Sequence, residues 1–333
     1  MPDLLRELTV LRRTAMVWLG AGWPGVGASA EREHGFPQRA VRIVVPYSVG
    51  VGPDVVARSV ADRLAQRWGQ AVLVDNKPGA SGIVAFAEVR RTPADGHVLF
   101  LADTATMAVN PLLHRLLPYD PLRDLVPLSL LFRATFLLFT GGGSRWASLD
   151  AMLTAAHQRP GSVSYATLGN GHASHVAVET FARAAGVRML HVPFKDAGAL
   201  LTSVASGDVD FTAIGMNTVA GLVATGRLRP LAVAARQRLA SHPDIPTVRE
   251  AGGPAVDMHP WAALMGRAGT PASVLEQLQR DIVAALGTTE VRTRAELAGF
   301  EITPSTPHAL RERIDADVAL YAPLVAEGRL TPF

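Results

Sequence analysis

The sequence predicts an α/β protein made of two open lobes, and two observations carry that expectation. From Phe36 onward, short apolar runs of strand character alternate with segments of helical period, which implies βα units around parallel sheet. The alternation also happens twice, first up to the run "HVLFLAD" and again from Leu149. Between the two series lies "LVPLSLLFRATFLLFTGGGS", an apolar stretch long enough to cross from one lobe to the other, and "VDMHPWAALMGRAG" supplies the return strand. Two crossing segments make a hinge, and ligands of open α/β sheets sit beyond the carboxyl ends of the strands, so the groove between lobes is the expected site.

In the first series "VRIVVPY" reads as a strand, followed by a helix whose stripe Val56, Val60, Leu64 and Trp68 repeats every four residues. The strand "AVLVDN", the helix "IVAFAEVRR" and the strand "HVLFLAD" complete it. The second series runs helix "LDAMLTAAHQ", strand "VSYAT", helix "HVAVETFARAAG", strand "MLHVPF", helix "ALLTSVASG" and strand "VDFTAI", then a further helical stretch and the strand "PLAVAA". Helices over 271–286, 289–298 and 307–328 close back on the first lobe. The expected division is therefore 36–138 with 259–333 as one lobe and 139–258 as the other.

Composition excludes several classes. A chain of 333 residues with 48% apolar content and 18% charged residues is a globular protein with filled cores, long enough for two domains. The net charge is +3, the only lysines are Lys77 and Lys195, and the arginines are scattered, so no basic stripe points to nucleic acid. Cysteine is absent, which excludes disulfides and cysteine-ligated metal but suits an oxidising or a reducing compartment.

The N-terminus speaks to location. "LRRTAMVWLGAGWPGVGASA" sets Arg12 and Arg13 before an apolar stretch that ends on Ala28-Ser29-Ala30, the small-x-small pattern of a cleaved export signal over residues 1–30. Gly22, Pro24 and Gly25 interrupt that stretch, and no later segment reaches the roughly 18 uninterrupted apolar residues of a membrane span.

The stretch "IVVPYSVGVGPDVVARSVADRL" raises the question of a ligand. An apolar run ends in a loop with Gly50 and Gly52 just before a helix, so backbone N–H groups lacking intrahelical partners are expected to face an anion: a phosphate, a dinucleotide or a carboxylate. The third glycine of a dinucleotide fingerprint is missing, no lysine follows as in a phosphate-cradling loop, and there is no Gly-x-Ser-x-Gly elbow for an esterase nucleophile. After "VSYAT" a second loop carries Thr167, Gly169, Asn170, Gly171 and Ser174, and "DTATMAVNP" adds Thr104, Thr106 and Asn110. Each loop alone reads as ordinary capping; their coincidence at strand ends points to anion binding. His172, His175 and Glu179 are spaced for one helical face and form the competing constellation, either a metal site or a helix start whose histidines hydrogen-bond locally.

At these residues a family resemblance emerges. "FPQRAVRIVVPYSVGVGPDVVAR", "QAVLVDNKPGASG", "ADGHVLFLADTATMAVNPLL", "LPYDPLRDLVPLSLL", "HVPFKDAGALLTSVASGDVDF", "GRLRPLAVAARQRLASHPDIPTVREAGGP" and "AGTPASVLEQLQ" resemble, in that order, the tripartite tricarboxylate transporter solute receptors, or Bug receptors, over about residues 36–328. The resemblance implies a periplasmic binding protein of type II-like architecture, two Rossmann-like lobes joined by a hinge, which closes on a small organic carboxylate without catalysis, cofactor or metal. It implies periplasmic location, a monomer, and membrane permease subunits or a sensor kinase as partners, with no nucleic acid.

Departures from the family pattern concern the ligand. The first loop usually reads Pro-Phe-Ala-Pro-Gly-Gly before an Asp; here only Pro46, Gly50 and Asp54 persist, with Val49 and Val51 replacing a proline and a glycine. The Gly-Ser-x-x-His segment appears as Gly171-His172-Ala173-Ser174-His175, which puts an imidazole where a small hydroxyl is usual. A glycine and a proline that follow the strand "MLHVPF" in the family are Asp196 and Ala199. Ile214 replaces an acid common in amino-acid-binding members, which weighs against a ligand bearing an ammonium group. The expected clamp is Ser48, Gly50 and Gly52 against Thr167, Gly171, His172 and Ser174, with Tyr47 and Phe194 as apolar contacts; Asp54, Thr104, Thr106, Asn110, Gly169 and His175 complete the candidates. The alternative reading is a periplasmic hydrolase using His172, His175 and Glu179.

Overall fold

The computed structural model describes residues 35–333, so the leader read over 1–30 lies outside the described residues. In chain order the elements are β1 (Val41–Val45), α1 (Gly52–Trp68), β2 (Val72–Asn76), α2 (Ile83–Arg90), β3 (Val98–Asp103), α3 (Asn110–Leu113), α4 (Pro121–Asp124), β4 (Leu125–Ala134) and β5 (Leu137–Gly141). There follow α5 (Leu149–Gln158), β6 (Ser164–Thr167), α6 (Ala173–Ala184), β7 (Leu190–Pro193), α7 (Ala197–Ser206), β8 (Phe211–Ile214), α8 (Met216–Ala224) and β9 (Leu228–Val233). The chain closes with β10 (Trp261–Arg267), α9 (Ala272–Leu286), α10 (Thr289–Leu297), β11 (Phe300–Ile302) and α11 (Pro307–Ala326).

Two sheets organise these elements. A six-stranded sheet has the order β11-β4-β10-β3-β1-β2 and a five-stranded one the order β7-β6-β8-β5-β9. The βαβ units give the parallel pairs β1–β2, β1–β3, β6–β7 and β6–β8, whereas every pair made by β4, β5 or β10 is antiparallel. β1 is an interior strand, between β3 and the edge strand β2, and is covered on both faces, which is why "VRIVV" is nearly continuous in apolar residues rather than alternating. Its one charge, Arg42, remains half-buried by pairing with Asp75 at 3.0 Å and Glu88 at 3.3 Å.

The stripe Val56, Val60 and Leu64 of α1 is fully buried against the first sheet, and Trp68 ends it by donating its indole N–H to Asp281 of α9 at 2.7 Å. Gly69 then stops the helix in the left-handed conformation, φ 63°, with its amide returned to Ala65. The second sheet repeats the plan, with Met152, Phe181 and Phe211 on one side and Leu200, Val204 and Phe139 on the other.

The long apolar run divides into β4 of the first sheet and β5 of the second, with the crossing at Thr135 and Phe136. The return segment lies beside it: Ala134 donates to the Pro260 carbonyl at 2.8 Å, and Met258 donates at 2.9 Å to the carbonyl of Ala234, whose own amide donates to that of Phe136. The two crossings thus form one short hydrogen-bonded ribbon. The chain end adds a third connection, since α11 packs on β4 and on α6, and Leu324 and Leu330 share a small core with Val109, Leu113 and Val176.

Candidate functional site

A cavity of about 180 Å³ opens between the two sheets. From the first sheet it is lined by Pro46 and Tyr47 after β1, by Gly79, Ser81 and Gly82 after β2, and by Asp103, Thr104 and Ala105 after β3. The second sheet contributes Leu168, Asn170, His172 and Ala173 after β6, and the return crossing closes the floor with Pro260 and Trp261. Each of the four loops leaves the carboxyl end of a parallel strand, where open α/β sheets bind ligands.

The loop after β2 is bent the most. Residues 79–82 all have positive φ, among them Ala80 at 45° and Ser81 at 49°, a left-handed conformation unfavourable for non-glycine residues and concentrated at functional sites. A side chain at Gly82 would lie 2.3 Å from Thr106 Cγ2, so only glycine lets this turn approach the loop after β3. Asn110 secures the turn, donating to the Ser81 carbonyl at 2.8 Å and to the Tyr119 hydroxyl at 3.0 Å.

After β3 the chain enters a π-helical turn, Ala105–Val109, of the kind often kept at functional positions. Asp103 begins it: Oδ1 accepts the Thr106 amide at 2.7 Å and its hydroxyl lies 2.8 Å away, while Oδ2 accepts the Tyr47 hydroxyl. Burial, reinforced by the Asp103 charge and hydrogen bond, raises the Tyr47 phenol well above its usual range, so Tyr47 is the donor in that pair. Thr104 accepts the Trp261 amide at 3.1 Å and turns its side toward the cavity, whereas Thr106 and Asn110 are buried scaffold behind it.

The opposite wall begins at the N-terminus of α6. His172 caps the helix by accepting the Ser174 amide on Nδ1 at 3.2 Å, with the Ser174 hydroxyl at 2.8 Å. An Nδ1 that accepts leaves Nε2 as the protonated nitrogen, and burial depresses this histidine's pKa against a smaller upward pull from Asp103. His172 is thus a neutral N–H donor lining the same cavity as Asp103, the one carboxylate among its described lining residues. Ser174 is occupied by this cap.

Other candidates from this loop hold its shape. The Gly171 amide donates to His175 Nδ1 at 3.2 Å, His175 stacks on His191 at 3.8 Å, and the Thr167 hydroxyl lies 2.6 Å from His191 Nε2 and 3.3 Å from the Gly169 carbonyl. Phe194 packs into the second core. Glu179 is engaged away from the histidines, by the Tyr165 hydroxyl at 2.5 Å and by Arg329 at 3.2 Å. Among the described residues no group of three or more His, Asp or Glu side chains is arranged to hold a metal ion. The three side chains of the hydrolase alternative thus serve separate structural partners.

The first loop is placed differently from the expected clamp. The Gly50 amide is taken by Asp54 Oδ2 at 2.8 Å, and Asp54, only 1% exposed, also accepts from Arg58 and Asn76. Ser48 is exposed, and Gly50 and Gly52 border a separate open depression with Asn217, Thr218 and Arg294. The helix starts that meet the cavity are those of α2 and α6, not α1 and α6. Of the candidates, Tyr47, Thr104 and His172 line the cavity. Asn170, read with the second loop, lines it too, as do Asp103, Ser81, Leu168 and Trp261; the signals for Asp103 and Ser81 were an acid at the last position of the strand "HVLFLAD" and a Pro-Gly-Ala-Ser-Gly turn directly after "AVLVDN".

Fold and site together define a class, the two-lobed α/β binding proteins of the periplasm. The chain matches the tripartite tricarboxylate transporter family receptor over residues 56–326 and belongs to that family, whose members are solute-binding receptors rather than enzymes. That membership sets aside the hydrolase alternative. Protein BugT of Bordetella pertussis is 30% identical over 321 residues, covering 96% of this chain and 98% of that one. A Rhodopseudomonas palustris protein solved with adipate has a TM-score of 0.78 at 29% identity, covering 90% of this chain and all of that one. MatC from Rhodopseudomonas palustris, solved with bound malate, has a TM-score of 0.74 at 27% identity, covering 87% of this chain and all of that one.

Proposed function

We propose that this protein is an extracytoplasmic receptor that captures a small organic carboxylate in the cavity between its sheets and delivers it to a tripartite tricarboxylate-type permease or a sensor. Residues 1–30 act as its cleaved export signal, and 36–138 with 259–333 and 139–258 are the two lobes that close on the ligand. The observation that carries this reading is the convergence of the α2 and α6 helix starts on one cavity beside a neutral histidine donor. The carboxylate is received by the His172 Nε2–H and the Ala173 amide at the start of α6, with Asn170, Ser81 and Thr104 adding polar contacts and Tyr47 and Trp261 an aromatic wall. The carboxylate-bound relatives support the ligand class.

Calorimetric titration of the mature protein with a panel of mono-, di- and hydroxycarboxylates tests this. At least one carboxylate should bind, and His172→Ala should weaken it by about tenfold, the value of one charge-assisted hydrogen bond. Silence across the panel with heat from sugars or nucleotides, or unchanged affinity in H172A, would refute the assignment.

A further inference from the structure

We infer that Asp103 determines specificity in this site, selecting a carboxylate that also bears a protonated amine over the unsubstituted acid of the same skeleton. The inference rests on the carboxylate reading above and adds the second half of the ligand. Among the described residues lining the cavity, Asp103 is the only side chain of full charge; neither lysine nor arginine is present. Its bonds come from donors alone, the Thr106 amide and hydroxyl on Oδ1 and the Tyr47 hydroxyl on Oδ2, so it is held as an acceptor. A carboxylate offers about four lone-pair sites, and Oδ2 has one protein partner, leaving acceptor capacity beside the cavity.

The charge balance then discriminates between ligands. A dicarboxylate would bring two further negative charges to a small cleft already lined by one, with no Lys or Arg among its described lining residues to offset them, and charge removed from water is costly unless paired. A zwitterion solves this geometrically: its carboxylate meets the His172 N–H and the α6 helix start, and its ammonium meets Asp103 on the facing wall. Asp103 ends β3 of the first sheet and His172 caps α6 beside the second, so the two groups line the cavity from different sheets. Ile214, at the end of β8, offers no acid to an ammonium group; Asp103 supplies one from the other sheet.

A purely structural role is separable. The turn after β3 needs only an oxygen at Oδ1 to accept the Thr106 amide, which asparagine also provides, so Asp103→Asn removes the charge and keeps the turn. Tyr47→Phe removes the other partner and keeps the charge.

The test is calorimetry with three matched trios: alanine, lactate and propionate; aspartate, malate and succinate; glutamate, 2-hydroxyglutarate and glutarate. In the wild type the amino member of at least one trio should bind tenfold or more tighter than both partners. D103N, melting within a few degrees of wild type, should lose that preference, and Y47F should keep it. If the hydroxy or unsubstituted member binds as tightly in every trio that gives heat, or if D103N retains the preference or Y47F abolishes it, the role of Asp103 is overturned while the carboxylate reading survives. Silence from all trios and from every other carboxylate overturns both.

Discussion

Arg329 donates to Glu179 at 3.2 Å with both side chains less than a tenth exposed, and this pair fastens the segment after α11 to α6 of the second sheet. Arg329 also donates to the Val187 carbonyl at 3.0 Å, and Glu179 accepts the Tyr165 hydroxyl, so the charges sit in a satisfied network. Breaking a buried pair by removing one partner costs about 3–5 kcal/mol, whereas an exposed pair is worth about 0–1 kcal/mol. Arg329→Met should therefore lower the unfolding free energy by about 3 kcal/mol in chemical denaturation. Arg183→Met, which removes the exposed partner of Glu327, should cost under about 1 kcal/mol. Equal small losses would show that the chain end is not fastened by this pair.

Asp54 is buried and anchors the first loop. Burial pushes its pKa up, but hydrogen bonds from Arg58, the Gly50 amide and Asn76 outweigh that and hold it below the usual carboxylate range. Asp54→Ala leaves those donors unpaired and should destabilise the fold by about 2–4 kcal/mol. Affinity for the carboxylate should change by less than about threefold. A large affinity loss with intact stability would return the first loop to the binding site.

Gly171 is bound to be glycine by two constraints, φ of 72° and the approach of Leu113 Cδ1 to 2.8 Å of where a Cβ would lie. This places the loop after β6 directly on α3 of the first sheet. Gly171→Ala should cost about 1–3 kcal/mol by thermal or chemical unfolding. In the double variant with Leu113→Ala the steric part should be relieved, giving a combined loss smaller than the sum of the single ones. Strict additivity would mean that the side chain is accommodated elsewhere.

Acid should weaken the fold through the stacked histidines. Burial, followed by repulsion from His191 and His172, lowers the His175 pKa to about 3, and burial lowers that of His191 to about 4. Both are neutral when folded but take up protons when unfolded, below an ordinary value of about 6.5. The unfolded chain then binds more protons, and stability must rise with pH between about 4 and 6.5. The groups packed around the pair are Tyr165, Thr167 and the Gly171 amide, with Glu179 beyond Tyr165. Denaturant titrations at pH 7 and pH 4.5 should show the loss, and His175→Gln with His191→Gln should flatten it. An unchanged slope in the double variant would assign the acid sensitivity elsewhere.

Much of this protein is legible along the chain because strand and helix periods are local properties. "VRIVVPY", the stripe Val56, Val60, Leu64 and the run "HVLFLAD" announce their elements within a few residues, and the repeated series of such elements announces two sheets. Even the loop after β6 was visible as a helix start facing solvent or ligand, with His172 in it.

The site itself was decided by contacts between distant segments. Gly50 looked like a free donor, but its amide belongs to Asp54, a residue held in turn by Arg58 one helical turn on and by Asn76 from the next strand. Tyr47 and Asp103 lie 56 positions apart and meet because β1 and β3 are neighbours in the sheet. Local pattern tells how many polar groups a helix start leaves unpaired; only the packed chain determines which of them a neighbour consumes and which remain for a guest.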